Sequence, residues 1–161
     1  MQGLPIRQIV TSDLSRTEQT GQIYANQFFV PQESSRLLRD WNLGEYIGLK
    51  AGEVQDEVES YIRNPRKKVP GGESFQEFTD RWRAGLQDLV SRAMHDQGSV
   101  VGVVHSKNIE VTRQWLAGTN DPSKHFSADS VPPGGVMALG LHNGSLVQVP
   151  FSNQHLEKDE G

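Results

Sequence analysis

The most constraining stretch of this sequence is Ser99-Val100-Val101-Gly102-Val103-Val104, followed at once by His105. A short, uncharged, β-branched run of this kind reads as a buried parallel strand. Parallel strands need crossover connections, usually helical, and candidates flank the run. Upstream, Ser74 and Glu77 have capping-box spacing, and Phe75, Phe78, Trp82, Leu86, Leu89, Val90 and Ala93 recur at helical intervals. A long helix is therefore expected over residues 74–95. Downstream, residues 108–116 are expected to be helical, with Gly118 as the stop. The chain opens in the same way. Residues 6–11 carry Ile9-Val10 and read as a strand. Ser15 with Glu18 then marks a helix start, and that helix should run to about Phe29, before Pro31.

The remaining segments are less regular. Leu37-Leu38 and Trp41-Asn42-Leu43-Gly44 read as an ordered loop, residues 53–62 as a short acidic helix, and residues 63–68 as a basic, solvated loop. Pro70-Gly71-Gly72 and Pro132-Pro133-Gly134-Gly135 read as loops between elements. Asn143-Gly144, between residues 136–141 and 145–149, is a hairpin signal; the sequon Asn143-Gly144-Ser145 is read as part of that turn. The expected fold is α/β, a mixed, mostly parallel sheet with helices on both faces. The 161 residues suit a single domain, expected over residues 1–156, with a charged tail at 157–161.

Composition narrows the chemistry. There is no cysteine, which removes disulfides, thiolate metal sites and cysteine nucleophiles and suits a reducing cytoplasm, the expected location. A net charge of −4 argues against a general nucleic-acid footprint. No apolar run approaches the roughly 20 residues of a membrane span, and no basic-then-apolar leader is visible.

In open parallel sheets, ligands bind beyond the carboxyl ends of the strands. Two polar clusters fall there: residues 11–16, and His105-Ser106-Lys107-Asn108. His105 is either a buried histidine bonded to backbone, or a ligand-facing one that binds an anion or moves a proton. Arg16 falls in the first turn of a helix, where a cation opposes the helix dipole unless an anion sits at the same terminus. Its guanidinium fork suits phosphate. Ser12 and Ser15 are expected to cap rather than catalyse. His95, His125, His142 and His155 read as surface or capping residues.

The string from Ile9-Val10-Thr11-Ser12-Asp13-Leu14-Ser15-Arg16 through Thr17-Glu18-Gln19-Thr20 resembles a signature of the histidine phosphatase superfamily, the phosphoglycerate-mutase-like proteins. Four further blocks follow in that family's order: residues 38–48 (its acid-bearing loop), Pro70-Gly71-Gly72-Glu73-Ser74 (the turn before its long helix), Val103-Val104-His105-Ser106 (the strand with its second histidine) and Asn153-Gln154-His155-Leu156 (its C-terminal ending). The resemblance implies a phosphate site in which Arg16, His105 and Ser106 bind phosphoryl oxygens. His105 then also has a catalytic role, and Asp40 stands where the family's proton-donating acid is usually glutamate. It implies no metal and no cofactor.

The departures are equally specific. No Arg-His-Gly, the family's nucleophile motif, occurs in this sequence. By the resemblance, the chain begins where the family's second strand begins, so the fold is expected to be N-terminally truncated. Asp40 is one methylene shorter than glutamate, and Ser106 replaces a glycine. The expected function is binding of a phosphate ester, from a small molecule or a phosphoprotein, with phosphatase activity impaired or absent. The rival is a non-catalytic interaction or structural protein on the same scaffold. The missing strand would leave an open sheet edge, so a homo-oligomer or a partner covering that edge is expected.

Overall fold

The computed structural model describes residues 4–122, 124 and 131–151. Strand β1 (Ile6–Thr11) leads into helix α1 (Ser15–Phe28), and the chain returns as the short strand β2 (Gln32–Ser34). Two single 3-10 turns (Arg36–Leu38 and Gly44–Tyr46) precede α2 (Ala51–Arg63). The long helix α3 (Phe75–Asp96), strand β3 (Ser99–Val103) and helix α4 (Ser106–Ala117) follow. The hairpin of β4 (Ala138–His142) and β5 (Ser145–Val149) comes last.

The α/β class is the expected one. β2, β1 and β3 form a parallel sheet in that order. One particular differs: the hairpin pairs with itself as a separate two-stranded antiparallel sheet. Its turn is as the sequence indicates, with Asn143 and Gly144 both at positive φ (50° and 78°). β3 was expected to be buried, yet all five of its residues are only half-buried. The reason is topological: among the described residues, β3 pairs with β1 alone, and its other edge has no strand.

Alternation along β1 sorts the layers. Thr11 points at α1, where a Cβ on Gly21 would collide with its methyl group. Val10 points the other way and belongs to the main core with Leu38, Trp41, Val58, Ile62, Phe78, Trp82 and Val111. Its neighbour Gly102 lies under Leu89 of α3. So α1 covers one face, and α3 with α4 covers the other. Phe78 is wholly buried, and removing such a ring typically costs about 3–5 kcal/mol. Trp82 ties α3 to α4 by donating its indole N–H to Thr112 Oγ1 at 2.9 Å.

The helix ends show where spacing was informative. At α3 the capping box is complete: Ser74 Oγ accepts from Glu77 N, and Glu77 Oε2 accepts from Ser74 N. At α1 it is not. Leu14 is the N-cap, and Ser15 is already helical and accepts from Gln19 Nε2 instead. α4 starts at Ser106, with His105 as N-cap, and ends at Gly118 in the left-handed conformation. In the basic loop, Lys68 pairs with Glu77 and Lys67 lies over the Tyr61 ring. The expected tail at 157–161 lies outside the described residues. Among the described residues, no helix is long and apolar enough to cross a membrane.

Candidate phosphate site

The site forms where the carboxyl ends of β1 and β3 lie side by side. Thr11 is paired with Val103, and Ser12 N donates to Val103 O at 3.1 Å, carrying the register one residue past the strand. Ser12 and His105 are therefore neighbours although 93 residues apart in sequence. Ser12 Oγ lies 2.8 Å from His105 Nε2 and 2.6 Å from Thr17 Oγ1. Arg16, the second residue of α1, places Nη2 3.1 Å from His105 Nδ1. Both imidazole nitrogens are thus engaged. The ring is 7% exposed as a residue, and Ser12 is fully buried.

Burial holds the imidazole below its ordinary value near 6.5; Arg16 and Arg81 push the same way, and Asp40 opposes them. The neutral ring is therefore the form favoured in the ligand-free protein. Lys107, in the first turn of α4, is pushed down to about 8 by desolvation, against the pull of Asp40 and Glu110.

The structure brings Arg16 and His105 into direct contact. Asp40 lies within electrostatic reach of both His105 and Lys107, and its Oδ1 accepts from Trp41 N at 2.9 Å. Ser106 is exposed at the first position of α4, beside His105 in the chain. The first N–H groups of a helix have no acceptor within it, so this end of α4 favours an anion. Ser12 departs from expectation: it does not cap α1 but supports the histidine.

Two further residues escaped sequence reasoning. Arg81 of α3 donates to the carbonyls of Arg39 (2.9 Å) and Asp40 (3.0 Å) and pairs with Glu73, so it clamps the turn that carries Asp40. Asp13 accepts two hydrogen bonds from Arg39 at 2.6 and 2.7 Å, tying the β1–α1 loop to the same turn. That bond, more than the added charge of Arg36, holds the Asp13 carboxyl below its usual range. Nothing local in the sequence marks Arg81, which borders the apolar face of α3 and lies over the Phe78 ring.

His95 and His142 are exposed, and His95 pairs with Asp96. His125 and His155, with the block around His155, lie outside the described residues. Among the described residues, no group of three His, Asp or Glu side chains could hold a metal ion.

A three-stranded parallel core between helical layers, with arginine and histidine converging at the strand ends, defines an α/β protein. Residues 1–154 match the histidine phosphatase superfamily (branch 1), and the chain belongs to that family. A probable phosphoglycerate mutase of Klebsiella pneumoniae is 33% identical over 88 residues, covering 52% of this chain and 41% of that protein. A counterpart from Salmonella choleraesuis is 32% identical over the same shares. The matched segment thus spans less than half the length of these curated relatives. Among solved structures, a mycobacterial glucosyl-3-phosphoglycerate phosphatase with inorganic phosphate superposes with a TM-score of 0.67 at 20% identity, over 98% of this chain and 80% of that one. The α-ribazole phosphatase of Shigella flexneri gives 0.64 at 15% identity, over 92% and 73%. At these identities the likeness is one of fold.

Proposed function

We propose that this chain binds a phosphate monoester at the Ser12–Arg16–His105 corner and hydrolyses it poorly or not at all. The observation that carries this reading is the convergence of Arg16 and His105, 3.1 Å apart, at the start of α4. A guanidinium, an imidazole and a helix N-terminus together suit a phosphoryl dianion. Ser106 adds a hydroxyl beside them, and Asp40 is the candidate proton donor to a leaving oxygen.

The expectation of weak turnover rests on chemistry. Covalent phosphoryl transfer needs a nucleophile that divides one hard step into two. Arg-His-Gly does not occur in this sequence, and among the described residues no second histidine neighbours His105. Ser12 is no substitute, being buried and already bonded on two sides. Hydrolysis of p-nitrophenyl phosphate by this chain, with His105→Ala as control, tests the reading. Little or no difference between the two is the expected result. Turnover that depends on His105 would show a competent catalytic site and overturn the expectation of impairment.

The second edge of β3, unpaired among the described residues, supports a second element of the proposal, a homo-oligomer or a partner strand that covers it. Ser99–Val103 carries no charge, proline or other device that blunts an exposed edge. Sedimentation as a clean monomer at micromolar concentration would contradict self-association.

A further inference from the structure

The contacts of His105 fix which ring nitrogen carries its proton. Arginine has donors and no acceptor, so Arg16 Nη2 must donate to Nδ1. A neutral imidazole then bears its hydrogen on Nε2, which donates to Ser12 Oγ at 2.8 Å. Ser12 Oγ passes its own hydrogen to Thr17 Oγ1 at 2.6 Å, and the Thr17 hydroxyl donates to the Leu14 carbonyl at 2.7 Å. Ser12 and Thr17 are both buried, and Ser12 is anchored through its backbone to β3. Each hydroxyl in this chain both accepts and donates, so water need not complete it.

We propose that Ser12, backed by Thr17, is a positioning residue that holds His105 protonated at Nε2 with Nδ1 toward the ligand, and that the site therefore takes up a phosphate dianion together with one proton. The second half rests on the phosphate-site reading above. Its proton balance is simple. In the free protein Arg16 donates to Nδ1. A dianionic phosphoryl group presents only acceptors and draws the guanidinium to itself. Nδ1, now facing acceptor oxygens, becomes a donor by taking one proton from solvent. Nε2–H keeps its bond to Ser12, and no covalent bond between heavy atoms changes.

The charged groups around the ring set the direction. Arg16 from α1 and Arg81 from α3 oppose the imidazolium, and Asp40 favours it. Arg81 is itself paired with Glu73, and the loop after β1 contributes the neutral Ser12 and an Asp13 already paired with Arg39. A bound dianion reverses the balance and raises the affinity of His105 for a proton. Affinity for the dianion should then fall as pH rises.

Two readouts on the whole chain test this. The first is the ¹⁵N spectrum of the His105 imidazole in ligand-free protein. The second is calorimetry of phenyl phosphate at about pH 7.5, where a phosphomonoester is mostly dianion, in two buffers of different ionisation enthalpy. The spectrum should report the Nε2–H tautomer. Ser12→Ala removes the acceptor of Nε2–H while Arg16 still donates to Nδ1. The tautomer should therefore persist, with the Nε2 signal shifted by the lost hydrogen bond. Phenyl phosphate should weaken roughly 3–10-fold, with Thr17→Val acting the same way more weakly. Calorimetry should report net proton uptake on binding. An Nδ1–H tautomer in the wild type, an Nε2 signal and a phenyl phosphate affinity both unmoved by Ser12→Ala, or binding without proton uptake would overturn the proposal. Loss of the fold in Ser12→Ala would leave the wild-type spectrum and Thr17→Val to decide it. If phenyl phosphate does not bind at all, the phosphate-site reading and the proton uptake fall together, and the spectrum alone decides the role of Ser12.

Discussion

Two arginines on the parallel core have opposite surroundings. Arg92, on α3, donates to Glu33 Oε2 at 2.7 Å, Asp88 Oδ2 at 2.8 Å and Gln8 Oε1 at 3.2 Å. It joins the helix to β1 and β2, and the two carboxylates hold its proton more tightly than usual. Arg16, beyond the carboxyl ends of the strands, faces the nitrogen of a neutral ring. Arg92 has its counter-charges within the fold, whereas Arg16 meets an uncharged acceptor at a helix N-terminus. The comparison teaches that residue type alone does not set an arginine's role: Arg92 is committed to carboxylates within the fold, whereas Arg16 keeps the charge balance on which the phosphate-site proposal rests.

The sharpest way to break this comparison is to delete each arginine in turn. Arg16→Ala should weaken phosphate-ester binding by roughly 10–100-fold, the loss of one or two charge-assisted hydrogen bonds, and leave the melting temperature of the free protein nearly unchanged. Calorimetric titration and a thermal melt check the two halves. Arg92→Ala should do the reverse on a smaller scale. Its partners Glu33 and Asp88 are well exposed, at 56% and 40%, so the pairs are screened. The expected cost is at most about 1 kcal/mol of stability, with binding unaffected, as a denaturant titration would show.

A smaller effect concerns pH. The folded value of His105 is lowered, so below about 6.5 the unfolded chain binds more protons than the folded one. Stability of the ligand-free protein should therefore decline as pH falls from about 6.5 through the folded value. His105→Gln should remove that slope, and denaturant melts across the range would reveal it. Asp13 works in a separate window. Its carboxyl is depressed below 3.8, so its contribution is present above that value and is lost only as pH falls through the lower folded value.

Sequence patterns made some of this architecture legible and concealed the rest for physical reasons. α3 could be read because a capping box and an apolar stripe agreed with each other. β2 was missed because Gln32-Glu33-Ser34 has neither length nor apolar alternation; only pairing with β1 makes it a strand. That β3 pairs on one edge alone among the described residues follows from tertiary pairing, which no local run of valines reveals. The meeting of Arg16 and His105 is legible because each sits at a strand-to-helix junction. Ser12 was read as a cap because serine before a helix usually is one, whereas its partner lies 93 residues away. Arg81 was invisible for the same reason: its acceptors are carbonyls more than 40 residues upstream.

The most direct test of the central claim is a thermal melt of the wild type, Arg16→Ala and Arg92→Ala with and without inorganic phosphate. A ligand that binds only the native state must raise its stability, by about 2.7 kcal/mol at one hundred times Kd. The account predicts a phosphate-dependent rise for wild type and Arg92→Ala, and a much smaller rise or none for Arg16→Ala. An equal rise in all three, or no rise in the wild type, would contradict it.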